Sequence, residues 1–296
     1  MSVITNSVFI IAGLALVTAA QAQYSTGFEQ PTYTGSAAGT ALSPAGSTVP
    51  PGPPNFGQGN WYNPNPAGIA HNVYTYAGNA LGLVSNPTGR DQFIGMTSAA
   101  GSVFPRAQQN VTFSGNLWTI SYDFAATWLG TGPSSANLSS FSLNNDTVAM
   151  GSFRQFIALN NFTDLTNPAL GWKAEYNVFT AAGAALNNQS PGAAWTNLLN
   201  NNWYRQSTTF NLSTNEITSL TMENLTGGGS TSVTPTGWFM TGGSGSTLAL
   251  PASVRFFVGG AAGNTMGWDN LNVIPAPGTV ALLGLGGLLA TRRRRA

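Results

Sequence analysis

Large apolar and polar side chains alternate without a break along the stretch Trp118-Thr119-Ile120-Ser121-Tyr122-Asp123-Phe124. Successive side chains of a β-strand point to opposite faces of the sheet, so the four apolar residues are predicted to share one buried face. The three polar residues then lie on the other face. This pattern predicts a long strand whose sheet is covered by a hydrophobic core on one side.

The same period of two recurs along the chain. Apolar side chains alternate at residues 172–178, 204–212 and 254–258, and Gly, Asn and Pro turns separate these runs. Short alternating strands, with no segment that reads as a strand–helix–strand unit, predict an all-β antiparallel sandwich. One short helix fits the helical spacing of Trp195, Leu198, Leu199 and Asn202.

The predicted sandwich spans residues 23–274 as one domain, which is long enough to bury a single core. Within it, residues 43–66 are predicted to be a loop, because the prolines clustered there cannot donate hydrogen bonds to a central strand. No internal repeat or linker divides this body.

The body carries very little charge. Charged residues make up 6% of the chain, and the six cations and nine anions of residues 23–274 leave a net charge of −3. Such a surface has no basic patch for a nucleic acid. The chain has no cysteine, so disulfides do not contribute to its stability, although 42% hydrophobic and 11% aromatic residues predict a packed core.

The N-terminus has the features of an export signal. An apolar run from Val8 to Ala19 precedes Ala20-Gln21-Ala22, a small-x-small cleavage site, so Gln23 is the predicted first mature residue. Residues 1–22 are therefore expected to be a signal peptide read by the Sec export machinery.

The C-terminal segment, residues 275–296, begins with Pro275-Ala276-Pro277 and continues with an apolar run that ends at Ala290. This run is shorter than the ~20 residues that span a bilayer, and its glycines weaken a helix. The cationic block that follows favours the cytoplasmic side of a membrane. We expect a transmembrane sorting helix that anchors the protein transiently in the inner membrane. The block consists of Arg292, Arg293, Arg294 and Arg295.

This tail resembles the PEP-CTERM sorting signal of exported bacterial proteins, in which a Pro-x-Pro motif precedes an apolar stretch and a terminal arginine cluster. The resemblance implies an exosortase-type processing enzyme as a partner, removal of the tail, and a secreted or cell-surface location in bacteria rich in exopolysaccharide. Ala276 stands where the family usually has Glu, which puts processing in question. A relaxed or lineage-specific motif is the preferred explanation.

Four motifs in the body resemble jelly-roll, concanavalin A-like domains. They are Gly27-Phe28-Glu29, Gly57-Gln58-Gly59-Asn60-Trp61, Asn202-Trp203-Tyr204-Arg205 and Trp268-Asp269-Asn270-Leu271-Asn272-Val273. The resemblance implies a sandwich in which the first and last strands pair. It also implies a function in glycan binding or, less commonly, glycan hydrolysis.

No set of residues in the sequence predicts catalysis. His71 is the only histidine, and no nucleophile or orienting carboxylate lies near it in the sequence. Glu175 is expected to form a surface ion pair with Lys173 on the same strand face. Asp123 could line a groove, but it has no acidic partner nearby in the sequence. We therefore expect no catalytic residues.

Asp269 is the most informative carboxylate. It has the same strand parity as Leu271 and Val273, so it is expected to point inward if they face the core. A buried carboxylate without a partner is costly. In related jelly rolls a calcium ion resolves this cost, which suggests a structural Ca²⁺ held by Glu29 and Asp269. The alternative is a surface Asp that caps a turn with Asn270, and melting with and without EDTA distinguishes the two.

Exposed aromatic rings would indicate sugar binding, because they stack on pyranose faces. Trp61 and Tyr62 are the candidates, since they lie in the predicted Pro-rich loop and neighbour Asn residues. Three functions stay open at this point. The first is a noncatalytic, exported surface or matrix protein that binds polysaccharide. The second is a self-associating structural matrix or coat protein with no specific ligand, and the third is a polysaccharide-degrading enzyme of the same fold.

Overall fold

The computed structural model describes residues 23–44, 56–64, 71–99, 104–128, 137–259 and 262–275. The predicted signal peptide and the tail from Ala276 onward lie outside these ranges, as does much of the Pro-rich segment. Among the described residues, no helix combines the length and apolar character needed to cross a membrane.

The described residues form fifteen strands and three short 3₁₀ turns. The turns are Gln58–Asn60, Pro168–Leu170 and Ala193–Trp195. The strands are β1 (Tyr24–Thr26), β2 (Thr40–Ala41), β3 (Asn72–Thr75), β4 (Gln92–Thr97), β5 (Arg106–Asn110), β6 (Leu117–Trp128), β7 (Asn137–Asn144), β8 (Ile157–Phe162), β9 (Trp172–Phe179), β10 (Ala185–Gln189), β11 (Trp203–Asn211), β12 (Glu216–Asn224), β13 (Ser230–Val233), β14 (Ser253–Val258) and β15 (Asn264–Pro275).

The strands make two sheets, and within each sheet every pair of adjacent strands is antiparallel. The larger sheet has nine strands in the order β13-β12-β11-β6-β15-β4-β3-β2, with β1 also paired to β15. The smaller sheet has six strands in the order β10-β9-β8-β7-β14-β5. The prediction of an antiparallel two-sheet sandwich is confirmed, and so is the expected pairing of the first strand with the last.

The core lies between the sheets and is rich in aromatic rings. The apolar residues of the 118–124 stretch are all buried, as are the alternating apolar residues of β9 and β14. Trp268 of β15 packs on Phe256 of β14, with ring centroids 5.0 Å apart. Each large apolar side chain buried in this way stabilises the fold by about 1.5–3 kcal/mol.

The short helix predicted around residues 195–202 does not form. Only the 3₁₀ turn Ala193–Trp195 is present there, because Asn197 and Asn201 adopt positive φ angles of 57° and 62°. A right-handed helix cannot continue through such residues. In the Pro-rich segment, Tyr62 pairs through an isolated bridge with Gln108 of β5, which lies at the edge of the smaller sheet.

The loop from Tyr76 to Asp91 covers part of the outer face of the larger sheet. Leu81 and Leu83 pack there with Phe93 and Trp203 in a second, smaller apolar cluster. Glycines make room for them: a Cβ on Gly267 would lie 2.6 Å from Cδ1 of Leu83. This packing brings the loop residues 86–90 over the middle of the sheet.

Candidate functional site

The site begins at an irregularity in β15. Its first half pairs with β4 and its second half with β1, and its register against β6 shifts between Asp269 and Asn272. Asn270 lies in this bulge with a φ of 47°. Trp268 and Leu271 both face the core as a result, so Asp269 points to the outer face. The expectation that Asp269 shares a face with Leu271 and Val273 is wrong, because a bulge reverses strand parity.

The bulge places Asp269 directly opposite Asp123 of β6. One side-chain nitrogen, Nδ2 of Asn86, lies 2.9 Å from Oδ2 of Asp123 and 3.3 Å from Oδ2 of Asp269. Arg205 of β11 clamps Asp123 with two bonds, from Nε at 2.7 Å and Nη2 at 3.0 Å. The sequence analysis missed this carboxylate pair, since only cross-strand register brings residues so distant in the chain together.

Burial governs the protonation of Asp269. Asp123 and Asp269 are both 0% exposed. Desolvation by burial raises the pKa of Asp269 to about 8, and the nearby charge of Asp123 adds to the shift. The hydrogen bond with Asp123 in turn raises the pKa of Arg205. At neutral pH, Asp269 therefore holds its proton, and Tyr76 lies 3.0 Å from its Oδ2.

An open polar cleft of about 400 Å³ lies beside the carboxylate pair on the outer face of the larger sheet. Asn270 links the cleft to the pair: its Nδ2 donates to Asp123 at 2.7 Å, and its Oδ1 accepts from Nε of Arg90 at 3.1 Å. No Asp or Glu is among the described residues that line the cleft. Those residues are Ser25, Thr26, Thr88, Gly89, Arg90, Ser121, Arg205, Asn270 and Asn272.

A second cleft of about 380 Å³ continues from the first and shares Ser25, Thr26 and Arg90 with it. It extends towards Tyr33 and Asn60 and includes Glu29. We call the two clefts together the Arg90 groove. Its lining is dominated by hydroxyl, amide and guanidinium groups, which suit a hydroxyl-rich ligand.

A third cleft, of about 440 Å³, has a different character. Its lining mixes apolar side chains, among them Leu198, Leu199 and Met222, with neutral polar ones such as Asn197 and Asn224, and no charged residue is among its described lining. Leu199 is 55% exposed there. The third cleft thus offers apolar contact without ionic recognition.

The prediction that Trp61 and Tyr62 are exposed is wrong. Trp61 is 0% exposed and stacks on Phe256 in the core, and its Nε1 donates to the hydroxyl of Tyr24 at 2.9 Å. Tyr62 is 3% exposed, and its hydroxyl donates to Asp146 at 2.5 Å. The bridge to β5 and the packing of the segment onto the sandwich bury both rings, which their sequence neighbours did not reveal.

Tyr62 belongs to a second polar network, on the outer face of the smaller sheet. Nε2 of Gln108 donates to the Tyr62 hydroxyl at 2.6 Å and to Oδ2 of Asp146 at 2.7 Å. Arg255 completes the network with an ion pair to Asp146 at 3.3 Å. Burial lowers the pKa of Arg255 to about 10.

The other residues that the sequence analysis singled out make packing contacts or ion pairs within the sandwich. His71 is 0% exposed and packs on Trp268 with centroids 5.1 Å apart, and burial lowers its pKa to about 4. It is neutral at physiological pH and out of contact with solvent. Lys173 and Glu175 form the expected ion pair at 2.8 Å, but Glu175 is buried rather than on the surface.

Glu29 and Asp269 do not form a shared oxygen shell in this structure. Oε1 of Glu29 accepts from the backbone N–H groups of Asp91 and Gln92. Oδ1 of Asp269 accepts from the backbone N–H of Asn270 at 2.7 Å. No group of three or more His, Cys, Asp or Glu in the described ranges could hold a metal ion. These hydrogen-bond donors do not fit a calcium site, and the EDTA comparison remains its test.

No family model matches the chain, and no curated protein matches its sequence. Among solved structures, lectin II from Ulex europaeus is similar at 12% identity over 62% of this chain and 86% of its own, with a TM-score of 0.37. The carbohydrate recognition domain of Emp47p is similar at 9% identity over 86% of this chain and 96% of its own, with a TM-score of 0.35.

A carbohydrate esterase from Shiga toxin-encoding bacteriophage phi24B is similar at 15% identity over 65% of this chain and 85% of its own, with a TM-score of 0.39. The strand pairing itself makes the fold an all-β antiparallel sandwich. At these identities the likeness concerns the fold alone, and folds of this kind carry many functions.

Proposed function

We propose that this chain is a noncatalytic, exported protein of the bacterial cell surface or extracellular matrix that binds polysaccharide in the Arg90 groove. One observation carries the proposal. The groove is open to solvent and lined by hydroxyl, amide and guanidinium groups, while the two carboxylates beside it are sealed from solvent. Polar groups that converge in a cleft recognise sugar hydroxyls through directional hydrogen bonds.

The proposed location rests on the two ends of the chain. A signal peptide cleaved before Gln23 would send the chain through the Sec machinery. The tail, with Pro275-Ala276-Pro277 and its terminal arginines, would hold it in the inner membrane until an exosortase-type enzyme removes the tail. Mass spectrometry of the protein recovered from culture medium tests both ends, and an intact cytosolic chain would contradict the proposal.

Binding is tested by a polysaccharide panel that contains neutral and acidic polymers. We expect retention on at least one polymer and loss of that retention when Thr88 and Asn272 are both replaced by Ala. If no polymer binds and the protein instead forms large assemblies as its concentration rises, the self-associating matrix protein is the better description.

Hydrolysis is the second candidate, and the Asp123–Asp269 pair is the observation that favours it. Glycosidases use two carboxyl groups about 5–9.5 Å apart, with one protonated and one ionised. Two observations oppose this role: both carboxyl groups are 0% exposed, and Asp123 is ion-paired with Arg205. Release of reducing sugar from a bound polymer, abolished by Asp269→Asn, would establish the enzyme instead.

A further inference from the structure

We infer that the ligand of the Arg90 groove is an acidic polysaccharide, whose carboxylate or sulfate groups are bound by Arg90 and Arg205. This inference rests on the proposed function and names the substrate class for it. It comes from the distribution of the few charges in the chain.

Cations are scarce in the body of this protein, yet two of its six line one cleft. The first cleft, which both Arg90 and Arg205 line, has no Asp or Glu among its described lining residues, and Glu29 lines only the second cleft of the groove. A neutral sugar needs no such concentration of guanidinium groups, because hydroxyls and amides satisfy its hydrogen bonds. An oxyanion, in contrast, gains charge-assisted bonds that are roughly twice as strong as neutral ones.

Arg90 has hydrogen-bond donors that are available to a ligand. Its Nε is occupied by Oδ1 of Asn270, and no bond to its two terminal nitrogens and no ion pair is found among the described residues. The residue is exposed and lines both clefts of the groove. A guanidinium held through one nitrogen and free at the other two can form a bidentate pair with a carboxylate or sulfate.

Arg205 is held in place by the buried carboxylate of Asp123. Its Nε and Nη2 donate to Asp123, which leaves Nη1 for a ligand. The buried carboxylate thus fixes the guanidinium at the cleft before any ligand arrives. Preorganisation of this kind reduces the entropy lost on binding. The chain Arg90–Asn270–Asp123–Arg205 connects both cations through hydrogen bonds, so the two donors are positioned together.

The other cations do not line this cleft. Arg255 is paired with Asp146, and Lys173 is paired with Glu175. Arg154 donates to the backbone carbonyls of Leu212 and Leu248. Arg106 lies over the ring of Phe257, 5.7 Å from its centroid, and serves as the matched control because it carries the same charge on the other sheet.

The test uses two pairs of polymers that differ only in charge. Polygalacturonate is compared with its methyl ester, and dextran sulfate with dextran, by retention of the mature protein in affinity electrophoresis. We expect at least one acidic member to bind and its neutral partner to bind about tenfold more weakly or not at all. The two pairs separate a carboxylate ligand from a sulfate ligand.

Variants then locate the site. Arg90→Gln is expected to weaken binding of the acidic polymer about tenfold or more, since one charge-assisted pair is lost. Arg90→Lys is expected to recover part of this loss, and Arg106→Gln to leave binding unchanged. Circular dichroism spectra confirm that each variant is folded.

The outcomes separate the inference from the proposed function. Equal binding of both members of a pair, or loss confined to Leu199→Ser in the third cleft, overturns the inference and leaves polysaccharide binding intact. Equal loss in Arg90→Gln and Arg106→Gln also overturns it, because attraction to net charge would then suffice. Failure to bind any neutral or acidic polymer overturns the proposed function itself.

Discussion

The outer faces of the two sheets each carry a buried polar network, and the networks differ in charge balance. On the larger sheet, two carboxylates with no exposure lie together, and the guanidinium of Arg205 pairs with one of them, Asp123. On the smaller sheet, Asp146 has Arg255 to itself, and their side chains are 16% and 20% exposed. Two carboxylates in a site without solvent favour proton binding, and here burial raises the pKa of Asp269. The first network is therefore sensitive to pH and to the loss of its cation.

The largest difference in stability between the two networks is expected when the arginine of each network is replaced. Arg205→Met leaves Asp123 buried without a cation and should lower the free energy of unfolding by about 3–5 kcal/mol. Arg255→Met should cost less, because Asp146 keeps the Tyr62 hydroxyl, Gln108 and some solvent. Urea unfolding at pH 7 measures both. Equal losses would show that charge balance does not distinguish the networks.

The pH dependence of stability gives an effect of similar size, accumulated over several pH units. Because the pKa of Asp269 is raised from its ordinary value of 3.8 to about 8, the folded protein binds one more proton than the unfolded chain between these values. Its contribution to stability is complete below about pH 4 and is lost as the pH rises to about 8, by up to ~1.4 kcal/mol per unit.

Asp269→Asn should flatten this slope between pH 5 and pH 8, because the amide cannot titrate. Asp146→Asn is the control and should leave the slope in place. Urea midpoints collected at each pH provide the measurement. A wild-type slope that survives in the Asp269 variant would assign the titration to another group.

The smallest effects come from the two tyrosine hydroxyls. Tyr76→Phe removes a bond to a carboxyl group that holds its proton at pH 6, which should cost about 1 kcal/mol. Tyr62→Phe removes a bond to the ion-paired Asp146 and should cost roughly twice as much. Thermal melts at pH 6 rank the two, and the reverse order would contradict the assignment of charge.

Local patterning predicted much of the fold. Alternation in β6, β9 and β14 identified the core faces, because a period of two follows from backbone geometry alone. The pairing of β1 with β15 also followed from the resemblance to jelly-roll domains. Prediction failed at Trp61 and Tyr62, where proximity to turns suggested exposure. An edge bridge and two hydrogen-bond networks bury these rings instead.

The carboxylate pair could not be predicted from the order of residues in the chain. Asp123 was placed correctly on the outer face, but its partner was unseen because Asp269 lies far away in the chain. Asp269 itself was assigned to the wrong face, since strict parity was assumed across residues 269–272 and a bulge interrupts it. Positive φ at Asn270 is tolerated by an Asn side chain, yet nothing in the local sequence requires it.

The sequence by itself determined the all-β class, the core-facing side chains of β6, β9 and β14, and the scarcity of charge. Those properties depend on composition and on local periodicity, which each segment carries alone. Tertiary structure alone decided that Asp123 and Asp269 meet, that Arg205 is clamped, and that Arg90 lines an open groove. These outcomes depend on strand register and on one bulge, which arise only when distant strands pair.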